Sequence, residues 1–112
     1  MIINFKEMSE NTIEKFNGGE GHFCVKMFND GTNKILQGRL EPGCSIGMHV
    51  HATSSEIIYI LSGEGKMYLS DGTVETLRPG DCHYCPKGTG HNFVNESDAD
   101  LTFFAVVPVH NK

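Results

Sequence analysis

The sequence predicts an all-β domain in which short antiparallel strands close into a barrel or sandwich. Runs of β-branched and aromatic residues alternate along the chain with turn formers, including 13 glycines in 112 residues. No segment of useful length repeats its apolar residues at helical spacing. The same alternation locates the individual strands.

Residues 1–20 read as an irregular arm that adds an edge strand and a short turn around 9–16. Residues 22–28 form a strand that ends at Asn29-Asp30-Gly31, where positive φ is tolerated, and the chain turns back into 34–40. Pro42-Gly43 stops that strand and aims the next, 45–49. The short polar stretch Ala52-Thr53-Ser54-Ser55 leads into 56–62, and Ser62-Gly63-Glu64-Gly65 reverses the chain into 65–70. Asp71-Gly72 makes a hairpin to 73–77. Pro79-Gly80 and Pro86-Lys87-Gly88 bracket 81–85 and deliver 91–95, and 101–107 completes the set.

A chain of 112 residues supports one domain, 1–112, and no second core. Its formal net charge is −5, and no Lys or Arg cluster is long enough to follow a phosphate backbone, which argues against nucleic acid or anionic lipid as partner. No apolar run approaches a membrane span and no secretory leader opens the sequence, so a soluble cytoplasmic protein is expected. Cys24, Cys44, Cys82 and Cys85 are accordingly read as reduced thiols. Cys82-His83-Tyr84-Cys85 lies in a strand rather than at the start of a helix, so packing is its expected role, not redox or zinc chemistry. In 56–62 both faces are apolar, with Ile58 and Ile60 alternating with Ile57, Tyr59 and Leu61. One face fills the barrel; the other needs cover, and a homodimer supplies it.

The chemistry concentrates in two stretches. His49-Val50-His51 puts two imidazoles on one face of a strand, and Glu56 follows at the head of the next. Two histidines and a carboxylate at this spacing suggest a facial metal site with open positions. His91 follows a glycine-rich turn as a further candidate, although spacing alone leaves its proximity open.

These stretches resemble the two motifs of the cupin family. Gly43, His49, His51, Glu56 and Gly63 fit G-x5-H-x-H-x4-E-x6-G, within 43–63. Gly80, Pro86, Gly88, His91 and Asn95 fit G-x5-P-x-G-x2-H-x3-N, within 80–95. The resemblance implies a double-stranded β-helix (jelly-roll) barrel whose interior holds one divalent transition metal, Fe, Mn, Ni, Co or Zn, on His49, His51, Glu56 and His91. An octahedral ion so held keeps two adjacent positions for water, substrate or dioxygen, whereas four-coordinate zinc would close the site.

Ile58, Ile60 and Phe93 share strand parity with a candidate ligand and are expected to line the pocket, provided no bulge intervenes. His83, three residues before Pro86, is a further pocket candidate. Gln37 and Arg39 would bind a carboxylate or hydroxyl if their face points inward, an exposed polar face being the competing reading. His22 and His110 read as surface residues. With no second carboxylate, no Ser-His-Asp arrangement and no phosphate loop, no separate acid or base is assignable. The expected function is a metalloenzyme acting on a small polar organic molecule, either a dioxygenase or a Lewis-acid isomerase, decarboxylase or lyase. The alternative is a non-catalytic metal-containing module that binds a sugar or organic acid.

Overall fold

Turn chemistry sets the strand order seen in the computed structural model, which describes residues 1–110. Asp30 Oδ1 accepts from the backbone N–H groups of Thr32 and Asn33 at 2.9 and 2.8 Å, closing the first hairpin. Asp71 Oδ1 does the same for Thr73 at 2.9 Å. The glycines of the two motifs, Gly43, Gly63, Gly80 and Gly88, all have φ between +81° and +92°, where a side chain would be strained.

The strands are β1 (Asn11–Glu14), β2 (His22–Asn29), β3 (Asn33–Leu40), β4 (Ser45–Val50), β5 (Glu56–Ser62), β6 (Gly65–Leu69), β7 (Val74–Leu77), β8 (Cys82–Cys85), β9 (Gly90–Val94) and β10 (Leu101–Pro108). Their bounds lie within one or two residues of the expected ones for β2 to β10. The six-stranded sheet runs β1-β2-β3-β10-β5-β8 and the four-stranded sheet β4-β9-β6-β7, all pairings being antiparallel. No helix among the described residues is long and apolar enough to cross a membrane.

Between the sheets, alternate residues interdigitate as strand parity requires. Ile58 and Ile60 of β5, Phe103 and Ala105 of β10, Met67 of β6 and Phe93 of β9 are almost wholly buried. Phe103 sits among Phe23 and Phe93, with ring centroids at 5.9 and 5.1 Å. Gly38 makes room for it, since a Cβ there would lie 2.5 Å from the Phe103 ring.

The amino-terminal arm is built into the molecule. A 3₁₀ turn, Phe5–Glu7, brings Phe5 edge-on to Phe104 on the outer face of the large sheet, at 6.3 Å between centroids. β1 extends that sheet as its edge. A second 3₁₀ turn, Phe16–Gly18, stacks Phe16 on Phe23 at 5.6 Å and presses against β4. A Cβ on Gly47 would fall 2.1 Å from the Asn17 carbonyl oxygen, so this contact requires glycine in β4.

Asn95 occupies the end of the second motif and is completely buried. Its Nδ2 donates to the carbonyls of Leu40 and Ala99, both at 2.8 Å, and its Oδ1 accepts from the backbone N–H and hydroxyl of Ser97. The side chain thus ties the β9–β10 connection to the end of β3. Asn95→Ala strands the buried Leu40 carbonyl and leaves a void, and the expected cost is about 2 kcal/mol, read as a lower urea midpoint with an unchanged slope.

Candidate metal centre

β4 and β9 are neighbours, and their register places His49 opposite His91. Between Ile46↔Phe93 and His49↔His91 the pairing slips by one residue, a β-bulge at Gly47 and Met48. Without it, Met48 would share the inward face with Ile46; with it, Met48 is exposed and His49 and His51 turn inward. Glu56 enters from the other sheet, at the start of β5, after the loop that follows His51. The four side chains converge at the barrel mouth, with all four donor atoms within 4.8 Å of one another.

Tautomer logic explains why they converge through Nε2. The His49 Nδ1–H donates to the carbonyl of Gly47 at 2.8 Å. The His51 Nδ1 meets the Ser54 hydroxyl at 3.0 Å. His91 Nδ1 lies 3.1 Å from His83 Nε2, and His83 Nδ1 lies 2.6 Å from Glu75 Oε1. An ionised carboxylate only accepts, so His83 carries its proton on Nδ1 and offers a lone pair at Nε2. His91 therefore donates from Nδ1 and keeps its Nε2 lone pair for the centre. Each imidazole has its outer nitrogen tied to a fixed partner, the arrangement that orients metal-binding histidines.

The inner atoms are crowded. His91 Nε2 lies 3.0 Å from His51 Nε2, 3.2 Å from His49 Nε2 and 3.0 Å from Glu56 Oε1, and His51 Nε2 lies 3.1 Å from the same carboxylate oxygen. Four electron-rich atoms this close repel one another unless a proton or cation sits among them. Adjacent donors of an octahedral ion with bonds of about 2.1 Å lie about 3.0 Å apart, against about 3.4 Å for a tetrahedral ion with similar bonds. The donor set fits a divalent ion.

Electrostatics point the same way. Burial by itself would raise the Glu56 carboxyl, but in the absence of a metal a proton on the His51 or His91 nitrogen that faces it outweighs that and holds it at about 2. The carboxylate is therefore ionised and available. Burial pushes His49 below its ordinary value, keeping it neutral as a ligand must be. His83 is lowered by burial too, against the opposing pull of Glu75. Burial also pushes the Cys85 thiol up to about 11, with the Glu56 and Glu75 carboxylates adding to it, which leaves this cysteine protonated. Cys82 and Cys85 sit on opposite faces of β8, one exposed and one buried, and all four cysteines are free.

A cavity of about 390 Å³ opens beside the centre. Ile58 and Phe93 line it, together with His49, His51 and Glu56. Ile60 lies deeper, in the closed core. His83 stands behind His91 rather than in the cavity wall. Gln37 and Arg39 are outside it altogether: they share the parity opposite to Leu36 and Leu40, so they face outward. Arg39 there pairs with Glu10, Glu41 and Asp100 at 2.7, 3.3 and 3.4 Å. His22 is partly exposed and bonds Glu41, and exposed His110 bonds Ser55.

Phe16, Asn17, Met27 and Lys34 also line the cavity and went unseen in the sequence. Lys34 was legible in principle, because it shares inward parity with Leu36 on β3. Phe16 and Asn17 were not, since a 3₁₀ turn in an irregular arm has no periodicity to read.

Because His49 and His83 are both held below the ordinary histidine value of 6.5, the unfolded chain binds their protons first on acidification. Stability of the metal-free protein from this source is complete above about pH 6.5 and falls as the pH drops below it. A denaturation midpoint lower at pH 5.5 than at pH 7.5 is the expected result, and equal midpoints would contradict it.

Comparisons with known proteins agree with the fold. The model of the cupin domain matches residues 37–107. The oxalate-binding protein of Thermotoga maritima is 30% identical over 113 residues, covering 96% of this chain and 93% of that protein. A crystal structure from Thermotoga maritima, described as a predicted oxalate decarboxylase, superposes with a TM-score of 0.89 at 28% identity, covering 97% of this chain and 99% of that one. The oxalate decarboxylase OxdC of Bacillus subtilis is 34% identical over 71 residues, 60% of this chain and 18% of that longer protein. The family match spans more than half of the residues, and with a relative that aligns along nearly the whole chain it places this protein in the cupin family.

Proposed function

We propose that the chain holds one divalent transition metal on His49, His51, Glu56 and His91 and uses it to bind a small organic acid of the oxalate class. The observation that carries this reading is the set of Nε2 lone pairs and one carboxylate converging beside the cavity, each imidazole fixed from behind. Three neutral imidazoles and one carboxylate leave a divalent ion with a net charge near +1, suited to a carboxylate oxygen. Three histidines and one carboxylate leave open positions on Mn, Fe, Co or Ni, whereas zinc would more often close the site. When bound, the ion supplies Lewis acidity; the chain's own contribution is to orient the acid against apolar walls. The names of the Thermotoga relatives favour oxalate or a close analogue as ligand.

A second reading, turnover of that acid, is favoured by the 71-residue match to a decarboxylase. Binding leads because, among the described lining residues, Lys34 is the sole titratable group besides the candidate ligands. The four free cysteines support a reducing compartment, the cytoplasm.

The test is metal analysis of untagged protein alongside the His49→Ala/His51→Ala double variant, followed by calorimetry with oxalate. About one Mn, Fe, Co or Ni per chain, lost in a variant that stays folded, with oxalate bound by the loaded protein alone, is the expected result. Full metal occupancy in the double variant would overturn the site. Carbon dioxide release from oxalate would move the reading to an enzyme.

The outer face of the large sheet supports assembly into a homodimer. Ile57, Tyr59, Leu61 and Tyr84 are 40–59% exposed and adjacent across β5 and β8, and β8 is the sheet's edge. A patch without charged side chains can pair with its own copy about a two-fold axis. Light scattering at micromolar concentration is expected to give twice the 12.4 kDa chain mass, and Tyr84→Lys to shift it toward the monomer.

A further inference from the structure

On β3 the inward positions beyond Lys34 are Leu36, Gly38 and Leu40, all buried. Lys34 continues that row to the open end of the strand, where its side chain lines the cavity with His49, His51 and Glu56. Register fixes how near it lies to the centre. Lys34 faces Val107 on β10, and Val106 faces Ile57 on β5, so the row through Lys34 and Val107 continues to Glu56. Two strand spacings separate Lys34 from Glu56 along it, about 10 Å between Cα atoms, with both side chains on the inner face. A four-carbon stem brings the ammonium within reach of a small molecule held at the centre.

Among the described residues Lys34 makes no side-chain hydrogen bond or ion pair, although Arg39 on the same strand has three carboxylates. Asn17, in the left-handed region at φ 54° and ψ 30°, also lines the cavity. Asparagine is among the non-glycine residues that adopt this conformation most readily. The Asn17 carbonyl packs against Gly47, and the Asn17 amide likewise lines the cavity without a side-chain partner among the described residues.

Charge then discriminates between ligands. A centre of net charge near +1 is neutralised by a monoanion, whereas a dianion leaves one negative charge over. We propose that Lys34, with Asn17 on the wall of the same cavity, supplies the missing positive charge and donors, and so selects a small dicarboxylate over monocarboxylates of the same size. This rests on the metal-and-acid reading above and adds the residues that set its specificity. Lys34 binds the carboxylate oxygens that the ion does not, and Asn17 donates to the same end of the ligand.

Calorimetry on manganese-loaded protein tests this with oxalate and glycolate, two acids of equal length that differ by one carboxylate. The wild type binds oxalate about tenfold tighter than glycolate, the worth of one charge-assisted hydrogen bond. Lys34→Met loses that advantage while glycolate affinity and manganese content stay unchanged; Lys34→Arg restores most of it. Added salt erodes the advantage in the wild type and not in Lys34→Met. Asn17→Gly, which keeps the left-handed backbone, weakens oxalate several-fold at constant metal content. An unchanged oxalate-to-glycolate ratio in Lys34→Met, or an equal loss of both acids, overturns the role of Lys34 and leaves the metal-and-acid reading intact. Failure of manganese-loaded wild type to bind either acid overturns both.

Discussion

Three imidazole lone pairs and one carboxylate can share a point in space only if each ring is held from its far side. That requirement organises the molecule. The Gly47 carbonyl, the Ser54 hydroxyl and the Glu75–His83 pair take the three Nδ1 positions of His49, His51 and His91, and what remains on each ring faces inward. A metal site of this kind is a problem of orientation more than of composition.

Each supporting feature answers to that requirement. The bulge in β4 reverses the parity that Ile46 sets, so that His49 and His51 turn inward from a strand that would otherwise point them at solvent. Antiparallel pairing of β4 with β9 brings His91 opposite His49, while β5 carries Glu56 across from the other sheet. β8, paired with β5, supplies His83 to the rear of His91. The price is a buried, self-repelling cluster whose repulsion a cation would resolve.

Around this centre the barrel grades from polar to apolar. The four converging side chains and the mouth residues Asn17 and Lys34 occupy one end, and Phe23, Phe93 and Phe103 the interior. The amino-terminal arm takes part in the same gradient, since its second 3₁₀ turn covers the aromatic end with Phe16 and presents Asn17 to the opening. A small molecule entering there would meet polar groups first and apolar walls after.

Sequence alone determined the β class, the strand bounds and the His49/His51 pair with Glu56, because local rules govern each: glycine and proline force the turns, period-two alternation marks the faces, and a His-x-His pair shares one side of a strand. His91 joined them only through the resemblance to the cupin motifs. The outward direction of Gln37 and Arg39 also follows from parity with Leu36 and Leu40, once that strand's inner face is known. Tertiary structure decided the rest. The bulge at Gly47 and Met48 is a property of pairing between β4 and β9 and leaves no mark in β4 itself. The Glu75–His83–His91 relay joins three strands, and Asn17 reaches the cavity through a turn held in place by contact with Gly47, thirty residues away. Contacts between distant segments depend on register and closure, and these are settled only when the sheets pack.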